Sequence, residues 1–95
     1  MGQAIIHRPR LAWDAAQAFV TSVEHGRYRW LRDRVALYLG DEYADRVTDT
    51  EVRLRMNPEA ANAEMGLWRV VLDELIFTDP RVVPVLTEIV QAART

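Results

Sequence analysis

Residues 57–90, NPEAANAEMGLWRVVLDELIFTDPRVVPVLTEIV, read as two helices and the corner between them. Asn57 is a favoured helix cap, and Pro58 fits the first helical position, where its missing N–H costs nothing. Met65, Trp68, Leu72, Leu75 and Ile76 then recur at i, i+3, i+4 spacing and give the first helix an apolar stripe. Thr78-Asp79-Pro80 turns the chain, and Val82, Val85, Leu86, Ile89 and Val90 form the facing stripe. The spacing predicts that Trp68 is buried against the last helix, whose apolar residues are the nearest in sequence able to cover it. This pattern describes packing and carries no chemistry.

Working outward, Asp14 and Gln17 have the spacing of a capping box, with Trp13 in the staple position before it. Ala15, Ala18, Phe19 and the Ser22-Val23 pair face inward until Gly26, a C′ residue, ends the helix. Tyr28, Leu31, Val35, Tyr38 and Leu39 repeat the period as far as Gly40, the next left-handed terminator. From 41 to 55 apolar residues thin out, while Glu42/Arg46, Asp49/Arg53 and Glu51/Arg55 stand at i, i+4 in the favoured acid-first order. A break near Thr48 is compatible with this segment. Gly66 costs about 1 kcal/mol against alanine inside a helix, which suggests close approach of a neighbouring helix there. Pro84 leaves two starts for the last helix, with Pro80 at N1 or with a turn over 78–82 and the helix from 83; the second is preferred.

The fold class is therefore all-α: a compact bundle of four to five helices over about 14–25, 28–39, 41–55, 58–77 and 83–93. Residues 1–10, with Ile5-Ile6 and Arg8-Pro9-Arg10, lack a helical period and read as a flexible arm in preference to a docking strand, leaving 11–95 as a single helical domain. A chain of 95 residues makes one modest core. Its 49% hydrophobic and 27% charged content is that of a globular protein.

No cysteine is present, which removes disulfides, thiolate metal sites and cysteine nucleophiles together. No apolar run approaches the ~20 residues that cross a bilayer, and Met1 to Arg10 lacks the apolar core of a signal peptide, so a cytoplasmic protein is expected. Met1-Gly2 could open a myristoylation signal, but Ile6 stands where serine or threonine is required. All twelve basic residues are arginine. Arginine and lysine are nearly equal as helix formers, so this points to a GC-rich genome more than to a binding task.

Chemistry is sparse. His7 and His25 have no ligand partners at metal-site spacing apart from Glu24, and Ser22 lies in a helix without a glycine elbow. The four glycines stand apart at 2, 26, 40 and 66, so no phosphate loop exists. Asp73, Glu74 and Asp79 are the densest acids, yet neighbours on a helix point about 100° apart and a solvated face explains them. No metal, cofactor or enzymatic activity is expected. Charge is uneven: residues 1–40 carry six arginines against Asp14, Glu24 and Asp33, a net of +3, whereas residues 41–95 carry six against eleven acids, a net of −5. These halves return the chain's −2. With pI ≈ 5.6, the balance argues against a dedicated nucleic-acid binder and suits docking or head-to-tail self-association.

Arg27, Arg29, Trp30, Arg32 and Arg34 are the candidate partner-binding residues, a run of cations around one tryptophan. Trp30 is equally at home at the core's edge or in a partner contact.

Ala18-Phe19-Val20, Gly26, Trp30-Leu31-Arg32, Val35, Leu39-Gly40, Leu67-Trp68-Arg69, Leu72, Leu75 and the Asp79-Pro80 corner together resemble a group of small all-helical actinobacterial proteins. That group is found beside or fused to conflict systems, including STAND-type ATPases and caspase- and TPR-repeat-associated systems. The resemblance spans residues 18–90 and rests on apolar spacing, one Trp-Arg pair and one corner. It implies a non-enzymatic adaptor or effector-associated module coupling a sensor to an effector, and it carries no catalytic residue over. Phe77-Thr78 before the corner and Pro84 after it depart from the pattern.

The expected function is a protein-interaction module that binds a larger partner or a second copy of itself. The alternative is a nucleic-acid-binding or transcription-linked domain that presents the arginines of the second helix to phosphates.

Overall fold

The computed structural model describes residues 8–94. Five α-helices follow one another: α1 (Arg8–Glu24), α2 (Tyr28–Leu39), α3 (Asp41–Met56), α4 (Ala61–Thr78) and α5 (Val82–Ala93), with a 3₁₀ turn at Pro58–Ala60 before α4. Each of the five expected helices is present, although α1 stops at Glu24 and residues 58–60 form the 3₁₀ turn, and α3 runs through Thr48 without a break. Among the described residues no helix is long and apolar enough to cross a membrane.

α1 is the axis of the bundle. Leu11, Ala12, Ala15, Ala16, Phe19 and Val20 are all buried, and the small alanines let neighbours approach closely. α4 lies along α1, α5 packs on another side of it, and the α2/α3 pair closes the remainder. Residues 1–7 of the expected arm lie outside the described residues, but Arg8, Pro9 and Arg10 are helical. Pro9 is tolerated because the first N–H groups of a helix have no partner within it. The expected capping box is absent: Asp14 sits a turn and a half inside α1 and faces Arg10 at 3.8 Å and Arg94 at 3.7 Å. Trp13 is 41% exposed and staples nothing.

The chain reversals follow the glycines. Gly26 has φ +79°, with Gly26 N–H donating to the Val23 carbonyl at 3.2 Å and Arg27 N–H to the Ser22 carbonyl at 2.8 Å. These two bonds make a Schellman cap. Gly40 joins α2 directly to α3 at φ +105°, ψ 167°, a region closed to residues with a Cβ. Asn57 caps the 3₁₀ turn by accepting from Glu59 N–H at 3.2 Å. α5 begins at Val82, one residue before the expected start, which places Pro84 in its first turn.

Trp68 is buried as expected, though its cover is different. Its ring meets Phe19 of α1 edge-on at 5.0 Å, and its indole N–H donates to Thr50 Oγ1 of α3 at 2.8 Å. α4 only grazes α5. The stripe of α5 turns to α1 instead, because the Asp79-Pro80-Arg81 corner swings α5 away from the helix before it. Nor does Gly66 mark a close approach: a Cβ added there meets nothing within 4 Å. Gly66→Ala is therefore expected to stabilise the protein by about 0.5–1 kcal/mol through helix propensity and a less flexible unfolded chain. Urea denaturation of the two forms measures this.

Candidate interaction surface

The five candidate residues of α2 divide between fold and surface. The Arg27 guanidinium lies 4.2 Å from the Trp30 ring centre and donates to the Ala93 carbonyl at the end of α5, 3.1 Å away. A cation there satisfies an orphan carbonyl and complements the helix dipole. The Arg34 guanidinium lies 5.8 Å from the same ring centre. Trp30 is half-buried and packs on the edge of the core, with two guanidiniums near its ring, and Arg27 ties the start of α2 to the end of α5. Arg32 is exposed, 5.9 Å from the Tyr28 ring and 3.3 Å from Asp33. Its hydrogen bond to Asp33 raises the guanidinium pKa further. Arg29 points to solvent. Arg27, Trp30 and Arg34 form one cluster; Arg29 and Arg32 do not join it.

A second surface escaped the sequence reading. The core stripe of α4 carries Glu64, Trp68, Leu72 and Ile76, but the opposite side is apolar too. Leu67 is 55%, Val70 60% and Phe77 81% exposed. With Ala63 and Gly66 they repeat at 3- and 4-residue spacing and occupy one face of the helix. Glu74 lies within that face, and Asp73 and Arg69 flank it. The signal was present in the sequence: apolar residues run all round α4, which is the pattern of a helix covered on every side. In this chain one side is uncovered. Single exposed apolar residues such as Leu37 and Met56 are ordinary; an aligned set along a helix makes this side of α4 the candidate surface.

Between α3 and α4 lies a polar core. The Glu64 carboxylate is buried and accepts from Arg53 Nε at 2.7 Å, Arg53 Nη2 at 3.0 Å and Thr50 Oγ1 at 2.8 Å. Thr50 in turn accepts from Trp68, so one chain of bonds links Trp68, Thr50, Glu64 and Arg53. Burial alone would raise the Glu64 pKa, but the hydrogen bonds from Arg53 and Thr50 and the Arg53 charge outweigh it and hold the carboxyl below its ordinary value. The i, i+4 spacing suggested Asp49 as the partner of Arg53, and the structure gives it Glu64. Of the three pairs expected in this segment, Glu51/Arg55 forms at 2.8 Å. Arg46 and Glu42 do not meet within ion-pair distance, and Asp49 acts on Arg53 only through its charge. Arg46, Asp49, Arg53, Leu67 and Val71 line a shallow groove above this network.

Among the described residues no group of three or more histidine, cysteine or acidic side chains could hold a metal ion. Asp73 and Glu74 are exposed, and Asp79 pairs with Arg81 at 2.8 Å. No family model, curated protein or solved structure gives a significant match to the chain.

Proposed function

We propose that this chain is a protein-interaction domain that docks a partner on the outer face of α4. The observation that carries the reading is the aligned, solvent-facing set Leu67, Val70 and Phe77 on a helix whose other side is already packed. Leaving that set in water forgoes burial free energy of roughly 25 cal/mol per Å². A helix-in-groove or helix-on-helix contact recovers it. The arginines of α2 play a different part: Arg27 ties α2 to the end of α5 and with Arg34 flanks Trp30, leaving Arg29 and Arg32 as a basic rim. The resemblance to small helical proteins of actinobacterial conflict systems agrees with a cytoplasmic adaptor role, in which docking joins a sensor to an effector. Both features favour docking over phosphate binding, since one arginine of α2 is tied to a carbonyl and another to Asp33.

Val70→Glu tests the reading. Val70 is exposed, so thermal stability is expected to stay within about 0.5 kcal/mol of wild type. A photo-crosslinking amino acid at position 70, introduced in cells of the source organism, is expected to give a protein adduct, and Phe77→Glu on the same chain is expected to remove it. Absence of any adduct overturns the proposal. In a mobility-shift assay at 50 mM salt with micromolar protein, no retardation of DNA or RNA is expected.

A further inference from the structure

Resting on that reading, we infer that the partner on the outer face of α4 is a second copy of this chain, paired antiparallel about a two-fold axis. The charges beside the apolar stripe decide the occupant. Arg69 lies on one flank of the stripe, and Arg46 of α3 lines the groove on the other, together with Asp49. Asp73 and Glu74 follow toward the helix's C-terminal half. None of Arg46, Arg69, Asp73 and Glu74 takes part in an ion pair among the described residues. Along one flank of the stripe a basic residue, Arg69, thus stands one turn before an acidic one, Asp73, and Arg46 stands free across the stripe from them.

Such a face complements itself in one direction. A parallel pair stacks Asp73 and Glu74 on their own copies, whereas an antiparallel pair brings Asp73 of each helix beside Arg69 of the other. Self-complementarity of this kind is what an isologous two-fold contact requires. With the axis level with Leu72, position 67 opposes position 77 and position 70 opposes position 74, because opposed residue numbers then add to a constant. Leu67 covers Phe77 of the second copy twice over. Arg69 stands about two residues, roughly 3 Å along the axis, from Asp73 of the second copy and on the same flank. Arg46 approaches Glu74 of the second copy, whose carboxylate leaves the seam toward that arginine. Gly66, which has open space around it, leaves the flank beside Asp73 unobstructed.

The seam is α4 alone, 18 residues or about 27 Å long. That is smaller than a standard interface of about 800 Å² per partner, so a dissociation constant on the order of 10–100 μM is expected. Sedimentation velocity from about 5 μM to 1 mM is expected to show the mass rising from 10.9 kDa toward twice that value. Val70→Glu is expected to hold the protein monomeric throughout. Arg69→Glu is expected to weaken the dimer about tenfold, and adding Asp73→Arg to it is expected to restore most of the affinity, which a merely apolar association would not do. A wild-type mass unchanged up to 1 mM overturns the inference, as does failure of the double reversal to restore pairing. The crosslinker at position 70 separates this failure from that of the docking reading: an adduct of twice the chain mass supports the second copy, an adduct with another protein alone overturns it while leaving docking intact, and no adduct overturns both.

Discussion

Trp68→Ala is expected to cost about 3–5 kcal/mol of folding stability, the range for truncating a buried tryptophan. For a domain whose total is about 5–15 kcal/mol this leaves little in reserve. The ring is 3% exposed and occupies the junction of three helices: it belongs to α4, its edge contact with Phe19 fixes α4 on α1, and its indole N–H reaches Thr50 on α3. Removing it opens a cavity against Phe19 and withdraws a donor from Thr50. At this chain length the melting temperature is expected to fall by at least about 12 °C. Trp68→Phe separates the two contributions, because it keeps most of the apolar volume and loses only the hydrogen bond; a cost of about 1–2 kcal/mol is expected. Trp30→Ala is expected to cost clearly less than Trp68→Ala, since Trp30 is half-exposed and its guanidinium neighbours can turn to water. Thermal melts of the three variants check the order. If Trp68→Ala melts with wild type, the packing of α4 on α1 is refuted.

Glu64→Ala is expected to cost about 2–3 kcal/mol, which exceeds the effect of removing any surface carboxylate of the chain. The carboxylate is buried and accepts three hydrogen bonds, two of them from a guanidinium, and its loss leaves the Thr50 hydroxyl without an acceptor. Arg53 is about half exposed and can rehydrate, so the cost stays below that of breaking a fully buried pair. In a double-mutant cycle with Arg53→Ala, the coupling between the two sites is expected to exceed about 0.5 kcal/mol. The pH dependence has a definite sign. The Glu64 pKa is lower in the folded protein than its ordinary value, so the unfolded chain takes up this proton first. The stabilisation is complete above the unfolded value of about 4.3 and is lost as pH falls from there through the folded value. Glu64→Gln is expected to flatten that part of the stability profile, measured by urea denaturation between pH 3 and 7. An unchanged slope would show that other carboxylates govern it.

The helices themselves were legible in the chain, because their determinants are local. Gly26 and Gly40 stop α1 and α2, Asn57-Pro58 opens the segment that becomes α4, and the stripes of α2 and α5 have the helical period. Each of these signals acts within a turn or two of chain. Errors arose where a local signal met a stronger tertiary one. Asp14 and Gln17 have the spacing of a cap, but Leu11 and Ala12 extend the buried face of α1 a full turn upstream, and that burial outweighs the cap. Arg53 has Asp49 in the favoured place on its own helix, and a buried carboxylate from α4 takes it. An exposed i, i+4 pair contributes only ~0.2–0.5 kcal/mol, whereas leaving Glu64 buried and unpaired would cost several times that.

By itself, the sequence determined an all-helical domain, the ends of most of its helices and the burial of Trp68. Only the tertiary structure decided which helix covers which stripe: α1 lies against both α4 and α5, and the corner at Asp79-Pro80 opens the angle between them. That decision also left an apolar face of α4 in water. Leu67, Val70 and Phe77 are as apolar as the residues of the core stripe, and hydropathy cannot tell the two sides of α4 apart. The bundle has enough helices to cover one of them. Which side remains in water is set by the packing of α1 and α3 around Trp68 and Glu64, a long-range arrangement that no local pattern in the chain records.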